Sequence, residues 1–411
     1  FKENPRKGTS GNDSETLSSF SEVSFEKKLD TFDLSTDFSY RAKNLKTTYG
    51  TFSYDSEIPQ IFFRQKVKIK KQIFGRKNIL AFNLEKFLVN FKQDSFSSGI
   101  FTRFTEISKR ANAFSLGNEF FITQNLVFNI SARKEFFDFD FKTSTPSATE
   151  LTDTRKDTVD AFSAGISLNL NERTNFYLSF SRNFRIPNVD EFKTFDPITY
   201  APTGINKDLK PQKSSEYQTG IRKTFENLSF SFGLYRKVVR DEIFYNSLTY
   251  ANENYPRTLH QGINFSSKVN FTPFSVGFNY SYLNSCLLEN KGAIQKGNII
   301  PGVPKNRFNL NINLALLKNL TFQTTANYTG EKFFISDWKN EGKKMPEIFV
   351  IDFNFSFKKN ALKISGGIKN LFNRKYAEYG TYSFNWSLWN YDYYYYPCPE
   401  RSFHGGISLE F

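Results

Sequence analysis

The sequence predicts an all-β protein, an antiparallel transmembrane β-barrel of about seventeen strands. Three observations carry this. Nearly every segment of about ten residues alternates large apolar with small polar side chains, the period of a strand between two different environments. Aromatic residues make up 18% of the chain, yet mean hydropathy is only −0.51 and no run of eighteen apolar residues occurs. That argues against a transmembrane helix and suits barrel strands. Connections between the segments also alternate, short then long, as periplasmic turns and extracellular loops do. A backbone in lipid has no water to bond, so only helices and closed barrels cross it.

The first strand is expected near residues 17–29, leaving 1–16 in an extracellular loop. Tight turns follow near Asp30-Thr31, Phe74 to Asn78, Thr123 to Asn125, Asn171 to Arg173, Glu226-Asn227, Thr272-Pro273, Lys318-Asn319 and Lys358 to Asn360. Long polar connections fall near 45–60, 93–109, 142–156, 187–213, 246–257, 291–303, 335–346 and 377–400. The clearest strands are 228–234, 274–280, 308–314 and 351–357. In the last two, Phe308, Leu310, Ile312, Leu314, Phe353, Phe355 and Phe357 are expected to face lipid. Asn309, Asn311, Asn313, Asp352 and Asn354 then face the lumen. A soluble sheet would need longer apolar central strands or covering helices, and no amphipathic helix is evident.

The chain ends on one more alternating strand. Phe403, Ile407, Leu409 and Phe411 share one parity with Gly405, and His404, Gly406, Ser408 and Glu410 take the other. Through His404, Gly406, Leu409 and Phe411 this end resembles the C-terminal signal of bacterial outer-membrane barrels, which barrel-assembly machinery reads. If the last of seventeen strands runs down to the periplasm, so does the first. An antiparallel barrel closes with an even number, so further strands are expected upstream.

The net charge is +14. It fits either a solvated surface with a basic lumen or a mouth that attracts anions. The charges are interleaved with strand Phe residues and form no compact basic block, which argues against nucleic acid. Two cysteines, Cys286 and Cys398, form no CxxC motif. Both are expected near the extracellular rim, either as a disulfide or as two unrelated thiols. His260 and His404 are isolated and read as structural. No phosphate-binding loop, metal-ligand spacing or fixed nucleophile–base pair occurs, so neither an enzyme nor a cofactor is expected.

Several stretches resemble TonB-dependent outer-membrane receptors, mainly over residues 157–411. Phe184-Arg185-Ile186-Pro187-Asn188-Val189-Asp190-Glu191 is similar to that family's Phe-Arg-x-Pro-Asn-x-x-Glu segment. Leu209-Lys210-Pro211-Gln212-Lys213-Ser214-Ser215-Glu216-Tyr217 resembles its Leu-Lys-Pro-Glu-x-Ser-x-x-Tyr strand opening, with Gln212 in place of Glu. Ile300-Pro301-Gly302-Val303-Pro304, Asn370-Leu371-Phe372-Asn373-Arg374-Lys375-Tyr376 and Tyr396-Pro397-Cys398-Pro399-Glu400-Arg401 follow in the family's order. The resemblance implies a twenty-two-stranded barrel, of which about seventeen strands are here, with the N-terminal plug domain absent. It implies uptake of a scarce metal chelate such as a ferric siderophore or cobalamin, driven by an energy-transducing inner-membrane complex acting through a plug. Haem is disfavoured, because residues 187–208 contain no His.

Ligand capture would fall to the extracellular mouth. Tyr382, Trp386, Trp389, Tyr391 and Tyr393 offer faces for stacking or belong to an aromatic girdle. Arg185 and Arg240 offer charge to an anionic chelate or belong to structural ion pairs. The alternatives to a receptor are a passive outer-membrane porin and a soluble β adhesin or carbohydrate-binding module.

Overall fold

The computed structural model describes residues 12–196, 202–246, 249–385 and 389–409. One antiparallel sheet of eighteen strands dominates it. Two of these, Phe52–Glu57 and Gln60–Ile73, lie end to end between the same neighbours across Ile58-Pro59, so the sheet makes seventeen crossings. In chain order these are β1 (Asn12–Lys28), β2 (Phe32–Tyr49), β3 (Phe52–Glu57 with Gln60–Ile73), β4 (Arg76–Ser97), β5 (Ile100–Phe121) and β6 (Leu126–Thr145). Then come β7 (Ala148–Asn171), β8 (Thr174–Arg185), β9 (Gln212–Thr224), β10 (Leu228–Arg240), β11 (Thr258–Phe271) and β12 (Phe274–Leu287). The last five are β13 (Asn306–Leu317), β14 (Leu320–Thr329), β15 (Ile348–Lys359), β16 (Leu362–Lys369) and β17 (Ser402–Leu409). Each pairs with its chain neighbours, and among the described residues no pairing joins β1 to β17.

All eight expected tight turns lie between consecutive strands at one end of the sheet. At the other end, three of the expected loops are not loops. Residues 45–60, 93–109 and 142–156 are strands that run on to two-residue turns at Gly50-Thr51, Ser98-Gly99 and Pro146-Ser147. Residues 12–16 likewise belong to β1, while 1–11 lie outside the described residues. The reason is that the membrane limits the apolar band and not the ladder. Above the band, polar strands persist on backbone bonds and cross-strand pairs, such as Lys46 opposite both Glu15 and Asp55.

Residues 186–211, between β8 and β9, identify the inner face. They fold back across β4, β5 and β6 and help bury Phe91, Ile107 and Phe139. A loop can bridge separate parts of a curved wall only on its concave side. From there, register carries the lumen parity through Ser131, Ser163, Ser181, Glu216, Lys237, His260 and Ser285. It continues through Asn279, Asn309 and Asn327, and through Asn354, Gly367 and His404. The expected orientation of β13 and β15 therefore holds. Asn309 Nδ2 donates to Asn327 Oδ1 at 2.7 Å and Thr325 to Asn311 at 2.8 Å on the lumen side. Outside, Phe308 stacks on Tyr328 at 5.0 Å and Phe322 on Phe353 at 5.8 Å.

The inner wall has two characters. Its β2–β6 arc is charged: Arg64 bonds Asp37 at 2.7 Å, Lys70 bonds Asp33 at 2.6 Å, and Arg133 bridges Glu85 and Glu135 at 2.7 Å each. At mid-height from β8 to β17 it is mostly Ser, Thr, Asn, Gln and Gly. Two tyrosines cover glycines there. A Cβ on Gly220 would lie 2.6 Å from Tyr177 Oη and 2.5 Å from the Phe232 carbonyl oxygen, so only glycine admits the ring.

Two outcomes are expected in lipid-bilayer unfolding titrations. Phe355→Arg, on the lipid face, should cost about 2–4 kcal/mol. Gly220→Ala should cost about 1–3 kcal/mol through overpacking, and shortening Tyr177 in the same chain should restore part of it.

Candidate functional site

Five extracellular segments build the mouth. The first, 186–211, begins where β8 ends. Arg185 donates through Nη1 to both Glu191 carboxylate oxygens at 2.8 Å and through Nε to Gln212 at 3.2 Å. Glu191 in turn accepts the Asn188 backbone N–H at 2.8 Å. That bond starts a 3-10 turn, Val189–Phe192, whose Phe192 is fully buried against Phe139 and Phe141 at 4.7 and 5.1 Å. Arg155 on β7 holds the far end of the segment by donating to the Leu209 carbonyl at 2.7 Å. The Phe-Arg-x-Pro-Asn-x-x-Glu stretch thus closes a clamp on itself. Lys193, just after the turn, sits 4.7 Å from the Phe91 ring, and its burial pushes its pKa down, with Asp190 opposing.

Three further segments meet in a second cluster. Tyr255, from the hairpin Glu242–Asn246 and Ala251–Tyr255, stacks on Trp338 of segment 330–347 at 4.0 Å and 18°. Lys291, from segment 288–305, lies 3.8 Å over the Tyr255 ring and bonds Glu253 at 2.6 Å. Leu287 and Ile300 seal the cluster. Burial, then the nearby Glu253 charge, raises the Tyr255 pKa, so its ring stays a neutral phenol. Burial would also raise Glu253, but bonds from Lys291 and Thr249, the Lys291 charge and Asn246 outweigh it and hold it below the ordinary carboxylate range.

The fifth segment is the hairpin Ala377–Asn385 and Asn390–Pro397. Register puts Tyr382, Tyr393, Phe384 and Tyr391 on one face. Tyr382 stacks on Tyr391 at 5.2 Å and lies 4.8 Å from Tyr393. Tyr393 rests on Phe334 at 4.7 Å, Lys343 Nζ stands 4.3 Å from the Tyr393 ring, and Trp389 at the tip is 75% exposed. Burial first, then Tyr393 and Asp337, raises the Tyr382 pKa. The result is an aromatic platform with a cation at its base, suited to a planar or anionic ligand.

The structure therefore brings Tyr382, Tyr391 and Tyr393 together, with Trp389 at the tip. Trp386 and Phe411 lie outside the described residues. Arg185 is committed to Glu191. Arg240 does not join it: it stands on the outward parity of β10 with Phe232 and Leu234. Cys286 and Cys398 are free thiols, not a disulfide. Cys286 lies in β12 and Cys398 just before β17, five strands on, roughly 24 Å around the wall, far beyond disulfide reach. His404, Gly406 and Leu409 alternate in β17 as expected, with Leu409 outward. Sequence reasoning missed Glu191, which was legible inside its own motif, and Phe334, Lys343 and Trp338, whose partners come from distant loops.

His260 lies between Glu242 and Ser285, 3.0 Å from each. Ser285 is only 2% exposed, so this chain of bonds ties strand to hairpin and offers no reachable nucleophile. No group of three or more metal-ligating residues occurs among the described residues.

A family model of the TonB-dependent receptor-like β-barrel matches residues 3–371. The chain belongs to this family. Its members are outer-membrane transporters rather than enzymes, so this barrel lies in the bacterial outer membrane. Solved structures agree in fold. The ferric-catecholate import receptor Fiu from E. coli K12 superposes with a TM-score of 0.78 at 15% identity over 98% of this chain. The ferric yersiniabactin uptake receptor FyuA from Yersinia pestis gives 0.77 at 12% over 99%. The siderophore receptor PiuA from Acinetobacter baumannii gives 0.79 at 14% over 97%. The chain spans 65%, 63% and 65% of their lengths. No curated protein sequence matches it.

The Tyr255 cluster should respond to acid. A carboxylate with a lower pKa folded than unfolded adds stability that is complete above its unfolded pKa and drains away as pH falls through the folded one. Hydrogen-exchange protection factors, the rates divided by the intrinsic rate at each pH, should therefore fall in residues 249–257 and 288–300 as pH drops below the ordinary glutamate range. Glu253→Gln should flatten that dependence.

Proposed function

We propose that the chain forms the barrel of a receptor that takes up a scarce metal chelate, a ferric siderophore before cobalamin. The aromatic platform with Lys343 at its base carries this reading. A ferric chelate with aryl groups is both flat-faced and anionic. Stacking on Tyr382, Tyr391 and Trp389 would hold the faces, and Lys343 would meet the charge. Fiu is a ferric-catecholate import receptor, FyuA a ferric yersiniabactin uptake receptor and PiuA a siderophore receptor, which supports the same class. Energy would come from the inner-membrane complex through a plug domain, and the described residues are all wall and loop. Assembly into the membrane would run through the barrel-assembly machinery acting on the β17 end.

The full-length receptor should bind such a chelate saturably. Each lost stacking face, in Tyr382→Ala, Tyr391→Ala or Trp389→Ala, should weaken binding by about 0.5–1.5 kcal/mol beyond lost area. Lys343→Gln should weaken it more at low ionic strength, where screening is weak. Unchanged affinity when all four are replaced would remove this site. Unsaturable conductance of small unrelated solutes would instead make the protein a porin.

A further inference from the structure

Resting on the chelate reading above, we propose that the turn 337–343 positions the tyrosine platform, with Asp337 and Gly342 setting Tyr393 and Trp338 anchoring the turn. A two-stranded hairpin is marginal in water by itself. The hairpin that carries Tyr382, Tyr391 and Tyr393 is such a pair, a separate two-stranded sheet. It owes its order to packing, and segment 330–347 supplies much of it. There Lys332–Phe333 pairs with Lys344–Met345 and closes the segment into a loop. Lys332 Nζ donates to the Glu378 carbonyl at 2.6 Å, and the Ile335 N–H donates to the Gly380 carbonyl at 3.1 Å. Phe334 is fully buried and lies 5.2 Å from Tyr395 as well as against Tyr393.

Within that loop the turn grips one atom of the platform. Asp337 is buried; its Oδ1 accepts the Glu341 N–H at 3.1 Å and its Oδ2 the Gly342 N–H at 3.0 Å. These bonds fold the turn so that the next N–H, that of Lys343, donates to Tyr393 Oη at 2.9 Å. The Lys343 ammonium stands over the same ring, so one residue both fixes the ring and brings the charge. Gly342 makes the room. A Cβ there would lie 2.8 Å from Tyr393 Oη and 3.1 Å from Asp337 Oδ2. Because Tyr393 lies against Tyr382, moving its hydroxyl tilts the face that a chelate would meet.

The other side of the turn is held as well. Trp338, next to Asp337 in the chain, stacks on Tyr255, and its carbonyl accepts from Asn298 Nδ2 at 2.9 Å. Asn340 donates through Nδ2 to the Ile299 carbonyl at 2.9 Å and to the Asp337 carbonyl at 3.0 Å. Its φ of +58° is a left-handed position that Asn tolerates better than most residues. Asp337 and Trp338 thus serve two clusters from adjacent positions, one the platform and the other the Tyr255 stack. A face already held when ligand arrives binds without the loss of side-chain freedom that ordering costs.

The test uses the full-length receptor with two readouts. One is equilibrium binding of a synthetic ferric tris-catecholate. The other, made without ligand, is the fluorine resonance of 3-fluorotyrosine incorporated at Tyr382. Gly342→Ala should shift that resonance and weaken binding about two- to tenfold, the cost of re-ordering one aromatic side chain. Trp338→Leu should shift the same resonance, although its ring partner is Tyr255 and not the platform. Tyr393→Phe removes the hydroxyl that the new methyl would strike, so in that background Gly342→Ala should weaken binding no further. Heat-modifiable migration on gels confirms that each variant is folded. An unmoved resonance in Gly342→Ala or Trp338→Leu would overturn the proposal. So would an equal loss of affinity from Gly342→Ala in the Tyr393→Phe background, because the effect would then bypass the hydroxyl. Lack of saturable binding by the wild type would remove the chelate reading instead, and the fluorine resonance would still decide the positioning.

Discussion

Everything in this molecule follows from the need to pair backbone groups where no water reaches them. In hydrocarbon, each unpaired N–H or C=O costs several kcal/mol. A meander of antiparallel strands meets that demand with neighbours alone, so each strand needs only the right length and a tight turn. Pairing fixes the pleat, and the pleat fixes which side chains meet lipid. The alternation of Phe and Asn along β13 and β15 is a result of that constraint, not an independent feature.

Above the membrane the constraint relaxes, and two ways of building coexist. Where β2 to β7 rise out of lipid, the ladder simply continues on polar residues. Between β8 and β17 it gives way to segments that need their own cores. One is the Phe192 cluster, locked by Arg185 and Glu191. The next is the Tyr255–Trp338 stack, locked by Lys291 and Glu253. A third holds the tyrosine hairpin on Phe334. The mouth is thus asymmetric: stiff ribbons on one side and packed loops, with the candidate binding faces, on the other.

Much of this was legible in the sequence. Turns carrying Asn, Gly or Pro, and strands with strict parity, gave seventeen crossings and all the lower turns. The upper hairpins were misread because a polar strand and a polar loop share one composition, and only partner strands distinguish them. At the site, the tyrosine hairpin was legible because aromatic density is rare in loops. Arg240 was misplaced although parity with Phe232 and Leu234 already set its face. Lys343 and Trp338 left no signal, since contacts between loops follow no period.

The two characters of the inner wall have a mechanical consequence. A body seated in this lumen would touch salt-bridged residues along β2–β6, where every shift means exchanging one ion pair for another. Along the Ser- and Asn-rich arc it would touch mostly neutral groups, whose bonds water replaces at little loss. Force applied to such a body would therefore not lift it evenly. It would peel from the neutral arc and pivot about the charged one, and a passage would open first beneath the tyrosine hairpin.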